Sequence, residues 1–368
     1  MNEAVKINLS AVSFGPGEQV IAEADGLTAT AFRYASGIAA LRIRNRLGEI
    51  ICLPFQGQQI HDAVFFGRRL TMRSMFTDPL VASTYLGNSG GFLVHCGATA
   101  MGNPAAEDTH PLHGELPNLP YQSAALVIGE DARGPWMGMT GVGRYTIAFT
   151  HSYEARPCLK LHADDGRIDA EMEIRNLKHS AMELMYLAHV NFKPHDGGRL
   201  IDTVPDDGKN IRIRTTVPQG LFKQADSHKA MLAAMLANPA LHRDLIAGRK
   251  VDPEIVMGLS FKADEQGWGH AMQLLPDGTA DFISHRPSEL PGGVRWMTRN
   301  ADQDALGLFL PGTAEADGYT AEKAKGNVMV IEPQGNFRCA LSFGALTKAE
   351  AAAMQTKIAG VMAFNPPT

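Results

Sequence analysis

Residues Arg167–Arg175 read RIDAEMEIR, and this stretch decides the class of fold. Ile168, Ala170, Met172 and Ile174 alternate with Asp169, Glu171, Glu173 and Arg175 behind an Asp165-Gly166 turn, the period-two pattern of a strand with one dry and one wet face. Asn176–Ser180 turn the chain, and the mostly apolar Met182–Phe192 reads as the buried partner of that strand. It ends in LAHVNFKP, which places His189 and Asn191 on the same side of a strand.

Upstream, the first 70 residues run in short period-two segments. Leu27–Arg33, Ala39–Arg44 and Glu49–Pro54 are bounded by Asp25-Gly26, Ser36-Gly37 and Leu47-Gly48, a meander of antiparallel strands. Between Met72 and Leu126 the pattern gives way to Gly, Pro, His and small residues. An irregular segment of that length is read as an ordered functional loop, a wall of a site. Downstream, a segment rich in Ala, Leu and Met from Ser227 is divided by Pro239 into two short helices. Strand signals resume at Ile255–Lys262, His270–Leu275 and Ala305–Leu310, and Thr347-Lys348-Ala349-Glu350 opens a C-terminal helix over 347–363 with a capping-box pattern. Many strands, few helices and no strand–helix alternation predict an all-β fold, a large antiparallel β-sandwich with a few short helices spanning 1–368 as one domain.

Composition narrows the function classes. A chain of 368 residues with 45% hydrophobic and 20% charged residues is that of a globular protein with a sizeable core. A net charge of −5 without a dense Lys/Arg block argues against nucleic acid as partner. Cys52, Cys96, Cys158 and Cys339 lie far apart with no CxxC pair, which suits a reducing compartment. The N-terminus lacks a signal-like pattern and no run reaches the roughly 20 apolar residues of a membrane span, so the expected location is cytoplasmic, without a membrane partner. GxGxxG, P-loop and GxSxG patterns are absent.

Three stretches carry groups suited to proton transfer. In Asn327–Ala345, Val328, Val330 and Ile331 read as a buried strand ended by the turn Pro333–Asn336, so Glu332 stands where a wall could tune a carboxylate. His113 lies in THPLHGELPN, where Gly114 lets the backbone approach a ligand. His189 sits in an apolar strand, either as a satisfied core histidine or as a general acid titrating near neutrality. His95, His110, His113, His189 and His195 are numerous enough for a metal cluster, but no spacing matches a zinc or iron signature, and no metal or organic cofactor is expected. Arg68, Arg69 and Arg73 cluster before the loop and offer contacts to hydroxyl or carboxylate groups. Trp136, Trp268 and Trp296 could each cover a sugar face.

HPLHGELPN, AHVNFKP and VIEPQGNF occur in an order that resembles the aldose 1-epimerase (galactose mutarotase-like) superfamily, in particular its uncharacterised bacterial mutarotase-like branch. There a His-Gly loop, an H-x-Y-F-N strand and a late E-x-Q segment converge on one cleft of a β-supersandwich. The mutarotase strand has Tyr and Asn where this chain has Asn191 and Lys193. The resemblance implies Glu332 as base, His189 as acid, His113 as a substrate-binding histidine, and Arg73, Asn191 and His95 as further substrate contacts. The implied activity is cofactor-independent anomer interconversion of an aldose or related sugar, with a small-molecule sugar as partner and a homodimer left open. Two alternatives stand beside it. One is a metal-assisted isomerase of a keto sugar or sugar acid using His95, His113 and His189; the other is a carbohydrate-binding protein without catalysis.

Overall fold

Alternation of apolar and polar residues generates two large antiparallel sheets, and the computed structural model describes them over residues 4–217 and 224–364. The sheet-forming expectation holds for the stretch that decided it. Ile168, Ala170, Met172 and Ile174 are buried within strand Arg167–Asn176, while Glu171 and Arg175 face water. That strand pairs with His151–His162 on one side and Asn336–Leu346 on the other, inside a nine-stranded sheet.

Its expected hydrogen-bonded partner, Met182–Val190, belongs to the other sheet. It pairs there with Leu93–Ala98 along six residues, and its side chains meet the first sheet across the core rather than along a ladder. The reason is burial on both faces: Leu184, Tyr186 and Ala188 enter the inter-sheet core, whereas Met185 and Leu187 join a second apolar cluster on the opposite face. A strand covered on both sides reads as a continuous apolar run, and such a run does not announce its neighbours.

The thirteen-stranded sheet runs from Ile211–Ile213 through Val251–Leu259, Gly292–Arg299, Asp304–Gly312, Met182–Val190 and Leu93–Ala98, and then through the N-terminal meander to Gln19–Ala24. One apolar cluster between the sheets reaches from Leu27 to Ala345 in sequence. The helix Lys348–Ala363 starts in the expected capping box, with Thr347 and Glu350 exchanging bonds, and Met354 and Ile358 pack it on the outer face of the nine-stranded sheet. Pro239 ends the other helical region as expected, separating helix Asp226–Ala237 from the 3-10 turn Pro239–Arg243. Among the described residues no helix is long and apolar enough to cross a membrane.

Candidate active site

His189 lies near the end of Met182–Val190, on the face turned away from the inter-sheet core. It is almost completely buried, and burial pushes its pKa down to about 4 against the opposing bond from Asn191. Its protonation state follows from the bonds around it. Asn191 Nδ2 donates to Gly91 O at 2.9 Å, which turns Oδ1 toward His189 Nδ1 at 2.6 Å. An amide oxygen only accepts, so Nδ1 carries the proton and the neutral ring presents Nε2 as a lone pair. Tyr85 Oη stands 3.4 Å from that nitrogen, long for a hydrogen bond.

The loop expected to be a wall of the site brings His113 to the same place. His113 adopts φ 61° and Gly114 φ 75°, a tight reversal held by His113 N donating to Gly102 O, Gly97 N donating to His113 O and Glu115 N donating to Gly97 O. A Cβ on Gly114 would lie 2.3 Å from Ala100 O and 2.5 Å from Gly97 O, so only glycine fits. The ring of His113 centres 5.4 Å from that of His189 and 4.6 Å from that of Tyr85. Its Nδ1 is buried without a partner, and burial, reinforced by His189 and Arg214, holds its pKa well below the ordinary value. A buried polar atom left unpaired beside a cavity is a position for a ligand atom.

The cavity between these rings has a volume of about 220 Å³. Trp296 forms a further wall, its ring 5.3 Å from His189. Glu254 also lines the cavity, with both oxygens engaged, Oε1 accepting from Arg214 Nη2 at 2.7 Å and Oε2 from Trp296 Nε1 at 2.8 Å. Asn103, Ser89 and Gln303 add polar edges, and Leu112, Leu187, Val256 and Leu310 make most of the remaining lining apolar.

Other expected site residues lie elsewhere. Glu332 is exposed and follows Met329–Ile331, a three-residue strand in which Ile331 pairs with Met182. Met182 and His189 occupy opposite ends of one strand, ~23 Å apart at ~3.3 Å per residue, so Glu332 cannot serve as base to a ligand held by His189. His95 pairs with Ala188, one residue before His189, and therefore points to the opposite face, where its Nδ1 bonds Tyr186 Oη at 2.8 Å. This removes His95 from the sugar contacts and breaks up the His95, His113 and His189 metal set. Arg73 is exposed, and its guanidinium binds the carbonyls of Asn300 and Ala301 rather than the cavity. Asn191 touches His189 and not the cavity space, so it acts by setting the imidazole. Among the described residues, the carboxylates with metal-ligand spacing are Glu315, Asp317 and Glu322, and Lys325 Nζ lies 2.6–3.1 Å from all three.

Tyr85, Arg214, Glu254 and Gln303 line the same cavity without a sequence signal of their own. Tyr85 belongs to the recognised loop, but Arg214 and Glu254 reach the cavity through strand order, which leaves no local pattern.

A family model described as a domain of unknown function (DUF4432) matches residues 35–199. No curated protein matches the chain. Among solved structures, a candidate aldose 1-epimerase from Klebsiella pneumoniae aligns at 18% identity and TM-score 0.82, covering 99% of this chain and 97% of its own. A galactose mutarotase-like protein from Clostridium acetobutylicum aligns at 12% identity and TM-score 0.58, covering 87% and 98%. A candidate aldose 1-epimerase from Escherichia coli aligns at 11% identity and TM-score 0.54, covering 87% and 99%. The chain therefore has the galactose mutarotase-like fold, the fold that its ordered motifs resemble.

Proposed function

We propose that the His113–His189 cavity binds a monosaccharide or similar hydroxylated ring and interconverts its anomers. The observation that carries this reading is the pair of imidazoles in one cavity, one with a lone pair fixed by Asn191 and one with an unpartnered buried nitrogen. His189 Nε2 takes the proton of the anomeric hydroxyl, the bond from C1 to the ring oxygen breaks, and the imidazolium returns its proton to that oxygen. The open-chain carbonyl rotates about C1–C2 and recloses by the reverse steps. A positioned proton carrier of this kind contributes ~10²–10⁴-fold. His113 hydrogen-bonds a substrate oxygen, and Trp296 and Tyr85 cover the ring faces.

Glu254 favours a second reading, carbohydrate binding without turnover, because both its oxygens are held and it is not free as a base. NMR exchange spectroscopy on a panel of reducing sugars separates the two. Accelerated exchange between anomers, lost in His189→Ala, supports the isomerase; saturable binding without acceleration supports the binding protein.

A further inference from the structure

A second group of reactive side chains lies on the nine-stranded sheet, on the outer face beneath helix Lys348–Ala363. On the paired strands Gly269–Leu274 and Ala280–His285, His270 stands directly opposite Ser284. Ser284 Oγ is 2.5 Å from His270 Nδ1, and His270 Nε2 is 2.9 Å from Asp264 Oδ2. Asp264 also accepts from Gln266 N and Trp268 N, each at 2.9 Å, and pairs with Lys357 Nζ at 2.5 Å. Burial works against ionisation of Asp264, but these donors outweigh it and hold the carboxyl well below its ordinary range.

The direction of the proton relay follows from this bonding. A carboxylate only accepts, so His270 Nε2 carries a proton, and the neutral ring then offers its Nδ1 lone pair to the hydroxyl of Ser284. A hydroxyl bonded to an imidazole, with that imidazole oriented by a carboxylate, is the arrangement that activates a serine nucleophile. Here the two ring nitrogens exchange places relative to the usual order, which leaves each role intact.

Space and charge accompany the relay. Ser284 and His270 line a groove of about 500 Å³ on this face, together with Arg167, Trp268, Arg286 and Lys357. The Arg286 guanidinium lies over the Trp268 ring at 4.5 Å, forming a wall with an apolar body and a cationic edge. Each cation of this lining is held by a carboxylate, Arg167 by Asp165 at 2.8 Å, Arg286 by Glu289 at 3.6 Å and Lys357 by Asp264, and Asp169 and Glu171 line the same groove, so the walls are polar and mixed in charge.

We propose that Ser284, His270 and Asp264 form a hydrolytic triad for small carboxylic esters, on the sheet opposite the sugar-type cavity and independent of it. Ser284 Oγ bonds to the ester carbonyl carbon as its proton passes to His270 Nδ1. The tetrahedral intermediate collapses, the bond to the alcohol oxygen breaks, and His270 delivers the proton to the leaving alkoxide. A water that gives its proton to His270 Nδ1 then adds to the acyl carbon, the bond from that carbon to Ser284 Oγ breaks, and His270 returns the proton to Oγ, releasing the carboxylic acid and restoring the Ser284 hydroxyl.

The test is incubation of the full chain with a fluorophosphonate probe, followed by peptide mapping. The adduct is expected on Ser284 of the folded wild-type protein. Labelling should be abolished in Ser284→Ala, fall by ~10²-fold or more in His270→Gln through loss of the base, and persist in Ser342→Ala on the adjoining strand. Hydrolysis of p-nitrophenyl acetate should follow the same order. Absence of a Ser284 adduct in the folded wild-type chain overturns the proposal, as does undiminished labelling of Ser284→Ala. Mapping on the wild type decides the matter even where a variant fails to fold.

Discussion

His189 and Glu332 show how differently two residues with similar sequence credentials are placed. Glu332 ends a strand whose central residue, Val330, is itself 57% exposed, so the apolar run around it marks an edge rather than a wall. Glu332→Gln should therefore leave ligand binding and any turnover within about twofold of wild type, as expected for a surface change away from the site. His189→Ala should lower turnover by ~10²–10⁴-fold, measured by anomer exchange. Asn191 gives a sharper probe because it acts through the imidazole. Asn191→Asp places an anion against Nδ1, so the His189 pKa, followed by NMR titration, should rise from about 4 toward neutrality. An unchanged titration would show that Asn191 does not set the ring.

At the scale of elements, the reversal at His113-Gly114 and the cap at Thr347 carry separate predictions. Gly114→Ala drives a Cβ into two carbonyl oxygens, so it should destabilise the protein by at least ~1–3 kcal/mol and weaken ligand binding by displacing His113. Denaturant titration and binding measured on the same variant check both effects. Thr347→Ala removes a capping box and should cost ~1 kcal/mol in thermal or denaturant unfolding, with no effect on the cavity. The cap was legible because its signal is local, four residues long. So was the strand Arg167–Asn176, whose wet and dry faces alternate along nine readable positions. The partner of Met182–Val190 was not legible, because that strand is apolar on both faces. The side to which His95 and His189 point follows from register, which is fixed only once Leu93–Ala98 is known to lie beside it.

The whole molecule couples this architecture to pH. His95 and His189 are held down to about 4, and His242 and His285 to about 3, in each case chiefly by burial. Below the unfolded histidine pKa of 6.5 the unfolded chain binds protons that the folded chain refuses, so stability is present above that value. It is lost as pH falls toward the folded values, at ~1.4 kcal/mol per group and pH unit. Asp281 works in the opposite sense, because burial raises its pKa to about 6 despite Arg68, and it offsets part of the loss between pH 6 and its unfolded value. Urea unfolding should therefore show stability falling steeply between pH ~6.5 and ~4; a flat profile there would contradict the burial of these rings. The sandwich itself was legible in the chain, since the alternating strands and missing strand–helix repeats leave few other architectures. The cavity was legible in part: the loop 72–126 and the histidines His113 and His189 stand out in the chain, while Arg214, just past the strand Ile211–Ile213, and Glu254, in Val251–Leu259, come from segments distant in sequence. The central role in that cavity is the one proposed for His189, the proton carrier. NMR exchange spectroscopy of reducing sugars with wild type, His189→Ala and Glu332→Gln tests it most directly. Anomer exchange accelerated by wild type and Glu332→Gln but not by His189→Ala is the predicted result, whereas acceleration that survives in His189→Ala and disappears in Glu332→Gln would contradict it.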